Sequence, residues 1–148
     1  MSQDPDSPYA PPKSGLQTAP SELQIATTGQ RFANYLVDGA ATTALNFVNG
    51  FALAVVGRRP GLVGSLALSV LTVSAYYVVL EARSGLTLGK LVTGTRVVTE
   101  AGAEPTLGRV VGRTFARLIP FEPFSFLGGS RPVGWHDSLS RTRVIRTR

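Results

Sequence analysis

The chain's one histidine, His136, stands beside Asp137 and Ser138, so three residue types used in nucleophilic hydrolysis meet within three positions. Such a triad needs its serine on a rigid strand-to-helix elbow facing an oxyanion hole, and no Gly-x-Ser-x-Gly occurs in the sequence. Asp137 is better read as capping a local turn or pairing with an arginine, and no enzyme is expected. A dedicated transition-metal site needs several nitrogen or sulfur ligands; with no cysteine and one histidine, neither a metal nor a cofactor is expected. The run Gly85-Leu86-Thr87-Leu88-Gly89-Lys90 resembles a phosphate loop superficially. That pattern would need Gly at Ser84 and Ser or Thr at Leu91, so the hydroxyl that holds magnesium is missing. What remains is electrostatic: Asp38 is the one formally charged residue between Phe32 and Val56, and Arg31 stands immediately before that run.

The elements that carry these groups read as membrane helices. Of 148 residues, 43% are hydrophobic and 16% charged, against about 25% charged in average soluble domains. Two apolar blocks, about 31–56 and 62–81, are each long enough for the roughly 20 residues that cross a bilayer. Thr27 and Gln30 have the spacing of a capping box at the head of the first block. Arg58-Arg59-Pro60-Gly61 breaks the chain between the blocks, and Tyr76 and Tyr77 mark an interface near the end of the second. Residues 83–148 hold 11 basic and 4 acidic side chains, which makes the formal net charge of +6 a statement about topology. By the positive-inside rule both termini belong in the cytoplasm. Residues 1–26 are rich in Pro, Ser, Asp and Gln and are expected to form a disordered cytoplasmic tail, with no signal peptide to be cleaved.

At 100° per residue, Arg31, Asn34, Asp38, Thr42, Asn46 and Asn49 share one stripe of the first block. A carboxylate two turns into a span must face protein or water. Either Asp38 and the Asn and Thr groups line a path for a solute or proton, or Asp38 pairs with an arginine while the amides bind helices together; the structural pair is favoured. Further on, Thr106 can cap a helix reaching about Ile119, with Arg109, Arg113 and Arg117 within about 80° of one another. Buried arginines are costly in a span, so this helix should lie along the interface with its Arg row towards lipid phosphates or Asp38. Pro120 to Gly129 carries aromatics suited to the headgroup zone, and the runs 95–99 and 142–147 read as two short strands able to pair.

Arg31 at the head of the first span, Asp38 within it, Gly85-Leu86-Thr87-Leu88-Gly89-Lys90 after the second, and Gly134-Trp135-His136-Asp137 before Thr142-Arg143-Val144-Ile145 together resemble the bacterial RDD membrane proteins. The resemblance covers about residues 28–147. That family is named for one Arg and two Asp, and by position these are Arg31, Asp38 and Asp137. The resemblance implies a multi-pass topology in a bacterial inner membrane and, as commonly suggested for the family, transport of an unidentified ligand. The third segment departs from longer relatives in being amphipathic, with Arg113 and Arg117 where they are more hydrophobic.

The expected architecture is an all-α membrane protein: a two-span helical hairpin, an amphipathic interfacial helix at about 106–119 and a small cytoplasmic β element, with residues 27–148 as one membrane domain. Arg31, Asp38, Asp137 and one or more of Arg109, Arg113 and Arg117 are expected to form one charge network at the cytoplasmic interface. The function expected is a component of small-solute or ion transport acting as an oligomer through Gly39, Ala40, Ala44, Ser65 and Ser69, or with a membrane protein partner. The alternative is a membrane-anchored scaffold that recruits lipids or proteins through its basic face. The bilayer and its anionic headgroups are the expected partners, and nucleic acid is not, because topology accounts for the arginines.

Overall fold

A computed structural model of the chain describes residues 23–120, 125 and 133–147. Two long helices, α1 (Thr28–Val55) and α2 (Leu62–Ser84), are followed by α3 (Leu88–Thr93), β1 (Thr95–Thr99), α4 (Leu107–Ala116), α5 (Trp135–Ser140) and β2 (Thr142–Arg146). The capping box at the head of α1 forms: the Gln30 amide donates to the Thr27 hydroxyl at 3.2 Å, and the Thr27 amide donates to Gln30 Oε1 at 3.1 Å. At the other end of the hairpin, Pro60 cannot continue a helix, so the chain turns there and α2 starts at Leu62. The two strands pair antiparallel, Thr95 opposite Arg146 and Thr99 opposite Thr142.

Folded chain begins earlier than the Thr27 cap. Residues 23–26, assigned to the tail by composition, lie along β2: the Ala26 amide donates to the Val144 carbonyl at 2.9 Å and the Arg146 amide to the Gln24 carbonyl at 2.8 Å. Ala26 is fully buried with Val97 and Val144, so this segment has apolar area to bury and ladder bonds to complete. The aromatic segment after Pro120 and the Pro-rich tail before Leu23 fall outside the described residues, apart from Ser125.

Burial is inverted relative to a water-soluble domain. Among the largest fully buried side chains are Arg113, Glu81, Thr95, Thr142, Asp38 and Asp137. The exposed side chains include Phe47, Val48, Phe51, Val55, Leu62, Val63, Leu66 and Leu71, which cluster at the Arg58-Arg59 end of the hairpin. The same inversion corrects the reading of α4, which ends three residues short of Ile119. Its Leu107 and Phe115 face outward and Arg113 is fully buried, so Arg113, with Arg117 just past the helix, points inward to carboxylates of α2 and α5, neither to lipid phosphates nor to Asp38. The cause is Glu81 and Asp137, which give the guanidinium partners inside the fold that offset its desolvation. Among the described helices, α2 is long and apolar enough to cross a membrane. α1 is longer, at 28 residues, but the polar stripe lowers its apolar content.

Candidate functional site

The buried residues of α1 are Arg31, Asn34, Asp38 and Thr42, the inner half of the stripe. A helical repeat of 3.6 residues puts them on one line, and α2, α3 and α5 close over that line. α3 gets there because Gly85 reverses the chain with φ +66° after α2, and because Gly89 lets two backbones touch. A Cβ on Gly89 would stand 2.5 Å from the Asn34 carbonyl oxygen and 2.8 Å from its Cα. The Asn34 amide then sits between the hydroxyls of Thr93 and Thr95.

Asp38 is held without an ion pair among the described residues. Its Oδ1 accepts the Tyr76 hydroxyl at 2.7 Å and the Gly89 amide at 2.8 Å, and its Oδ2 accepts the Thr87 hydroxyl at 2.7 Å. Three donors from α2 and the head of α3 therefore bind one carboxylate of α1. The expectation that Asp38 joins the arginines is corrected by this geometry: the hydroxyls and the orphan amide of a helix start supply the charge-assisted bonds it needs. Farther along the stripe, Asn46 donates to the Thr42 carbonyl at 3.0 Å, and Asn49 reaches across to the Thr72 hydroxyl of α2 at 2.9 Å.

A second cluster joins two other carboxylates. Asp137 accepts from Arg31 and from Arg113, so α1, α4 and α5 meet at it. Arg113 continues from Asp137 to the Thr142 hydroxyl and, through Nε, to Glu81 Oε2 at 3.2 Å. Glu81 Oε1 accepts Lys90 Nζ at 2.9 Å and Arg117 Nη2 at 2.7 Å, and Arg117 lies 4.0 Å over the Tyr77 ring. Burial alone would raise the Asp137 carboxyl, but His136, Arg113 and Arg31 together hold it well below the usual carboxylate range. Burial lowers the Lys90 ammonium below the ordinary lysine value, with Glu81 opposing. Burial works in the same direction on Arg117, yet Glu81 outweighs it and raises that guanidinium above its ordinary value.

Of the residues singled out in the sequence, Arg31, Asp137, Arg113 and Arg117 share this cluster through Glu81 and Asp137. Arg109 does not; it is directed to the Arg141 carbonyl at 2.7 Å, at the surface. Sequence reasoning missed Glu81, Lys90, Thr87 and Tyr76. For Glu81 a signal existed: it is the first charge after an uncharged apolar run, and such a carboxylate requires a partner as Asp38 does.

Between the two clusters lies a cavity of about 350 Å³. Its wall comprises Arg31, Asn34, Asp38, Gly39, Thr42 and Thr43 of α1, Val73 and Tyr77 of α2, Lys90 of α3, Arg117 and Leu118 after α4, His136 of α5, and also Tyr35 and Val144. This is a size suited to a small molecule, and its lining mixes apolar groups with a few ionised ones.

The sequence matches the RDD family over residues 25–140. It is also 30% identical over 84 residues to "Uncharacterized protein YxaI" of Bacillus subtilis (strain 168), covering 54% of this chain and 56% of that protein. The chain therefore spans about half the length of the curated relative it matches. No solved structure matches.

Proposed function

This chain belongs to the RDD family, and from that premise we propose that it is a multi-pass protein of the bacterial inner membrane that takes part in small-solute or ion transport. The family and the apolar α2 point to a membrane protein. In the proposed topology α1 and α2 both cross the bilayer, with both termini cytoplasmic. The naked apolar tip of the hairpin supports this, since residues such as Phe47 and Val63 are exposed at 74% and 81% and water offers them nothing. The polar stripe of α1 faces α2 and α3 instead of lipid, which is how a span keeps Asp38. The cluster of Glu81 and Asp137 then stands at the cytoplasmic end, opposite Arg58 and Arg59.

One observation carries the transport reading: ionisable residues of α1, α2, α3 and α5, with Arg117 just after α4, converge on a solute-sized cavity beside the helix pair. Asp38 in its wall is a clamp, because both oxygens are occupied by protein donors. A second copy of the chain, or a membrane protein partner, would complete the enclosure that two spans cannot form alone, and the chemistry is binding and passage without an enzymatic step.

Flux through proteoliposomes tests this reading. Gly39 lines the cavity and a Cβ there meets nothing within 4 Å, so Gly39→Leu adds bulk at the cavity wall with no clash at its Cβ. Wild-type vesicles should pass a solute from a panel of alkali cations, protons, phosphate and small carboxylates, and Gly39→Leu should block it. Folded wild-type protein that passes none of them refutes transport and leaves the role of an anchored scaffold.

A further inference from the structure

We infer that the cavity is a site for one small oxyanion, a phosphate or carboxylate group, held by Arg31 and Arg117. The inference names a solute class for the cavity of the transport reading and rests on that reading for its purpose, but binding can be measured without flux.

The first argument is unspent hydrogen-bonding capacity. Arg31 is 5% exposed and uses Nη1 on Asp137, while its Nε and Nη2 have no partner among the described residues. Arg117 uses Nη2 on Glu81, and its buried Nη1 likewise has none. Both side chains line the cavity. Buried polar atoms are nearly always satisfied, and a charged donor left unpaired is the costliest kind to leave. Nε and Nη2 are adjacent on one edge of the planar guanidinium, the edge that matches two oxygens of a carboxylate or phosphate.

The second argument is charge. Arg31, Lys90, Arg113 and Arg117 pair with Glu81 and Asp137, and Asp38 stands in the cavity wall, so four cations and three anions lie among groups that are buried or nearly so. One positive charge is uncompensated where the dielectric is low, and a bound anion balances it. Asp38 does not oppose an anion strongly, because its oxygens are turned to Tyr76, Thr87 and the Gly89 amide. The Tyr77 ring supports the Arg117 guanidinium from one face, which keeps its orientation fixed.

The test is thermal denaturation of the full chain in a neutral detergent at constant ionic strength, with chloride replaced by inorganic phosphate or by a soluble short-chain phosphatidylglycerol. Arg31→Lys keeps the charge and a bond to Asp137 but removes the two free donors. Arg117→Lys is the second variant, in case the first unfolds. A saturable rise of the wild-type Tm with inorganic phosphate identifies a free oxyanion as ligand. A rise with the lipid alone assigns the site to a headgroup. In either case the lysine variants should bind about tenfold more weakly or worse, the loss expected for a charged hydrogen bond. A wild-type Tm that neither ligand moves overturns the inference, as does an unchanged response in both folded variants; water would then satisfy these donors. Cation flux in vesicles together with an unmoved Tm would retain the transport reading and remove the anion.

Discussion

Glu81→Gln should be among the most damaging isosteric changes in this chain. The Glu81 carboxylate is 1% exposed and accepts from Lys90, Arg113 and Arg117. The amide keeps the shape and one acceptor, but it removes the counter-charge of three cations and turns an NH₂ towards donors. Breaking one buried pair costs about 3–5 kcal/mol, a large share of the roughly 5–15 kcal/mol that holds a typical domain. At the usual entropy of unfolding that corresponds to a fall in Tm of roughly 10–20 °C. The cause can be separated from a generic loss by adding Lys90→Met, which removes one of the stranded cations and restores the charge balance of the wild type. The double variant should recover about half of the loss, a coupling of about 1–3 kcal/mol between adjoining groups. Thermal melting in detergent, followed through the single Trp135, reads both. Additive effects of the two substitutions, or a single variant within about 1 kcal/mol of wild type, would refute the view that Glu81 organises the cluster by charge.

Asp38→Asn leaves one acceptor for three donors and should cost about 1–3 kcal/mol, measured as Tm, with α3 becoming sensitive to protease before the rest of the fold. Gly89→Ala should destabilise by about 1–3 kcal/mol through overpacking against Asn34, whereas Gly112→Ala, where a Cβ meets nothing within 4 Å, should stabilise α4 by roughly 0.5–1 kcal/mol; the opposite signs are the check. The depressed Asp137 carboxyl contributes stability that is complete well above its ordinary value of 3.8 and is lost as pH falls through and below it, so Tm should decline in that acid window and Asp137→Asn should flatten the decline. The pair of Arg96 and Glu104, 37% and 76% exposed in their side chains, should matter little, and Glu104→Gln should change stability by less than about 1 kcal/mol.

The elements were legible in the sequence because each is set by local signals. Thr27 with Gln30 marks a helix start, Pro60 a break, and the Thr- and Val-rich runs of β1 and β2 a pair of strands. The partners were less legible. The Arg row on α4 was visible, but its direction depended on Glu81, 32 positions earlier, and on Asp137, 24 positions later. No periodicity within α4 carries that information, and an amphipathic helix at an interface reads the same with its charged face turned either way. Asp38 was identified as a carboxylate in need of partners, yet the partners are hydroxyls and a helix-start amide. The Thr87-Leu88-Gly89 segment that supplies two of them was weighed as a phosphate loop, where Thr87 had no assigned role and Gly89 only that of the glycine before Lys90. Gly89 could have pointed to close contact, since a glycine early in a short helix often marks a backbone that approaches another.

The central claim is that α1 and α2 form a membrane hairpin with the charge cluster at its cytoplasmic end. The chain has no cysteine, so single cysteines report position without background. In intact cells with an accessible outer face of the inner membrane, a membrane-impermeant thiol reagent should label Arg59→Cys at once. It should label Glu100→Cys only after permeabilisation, and Phe51→Cys in neither case. Labelling of positions 59 and 100 from the same side, or of position 51 from the water, would contradict the account.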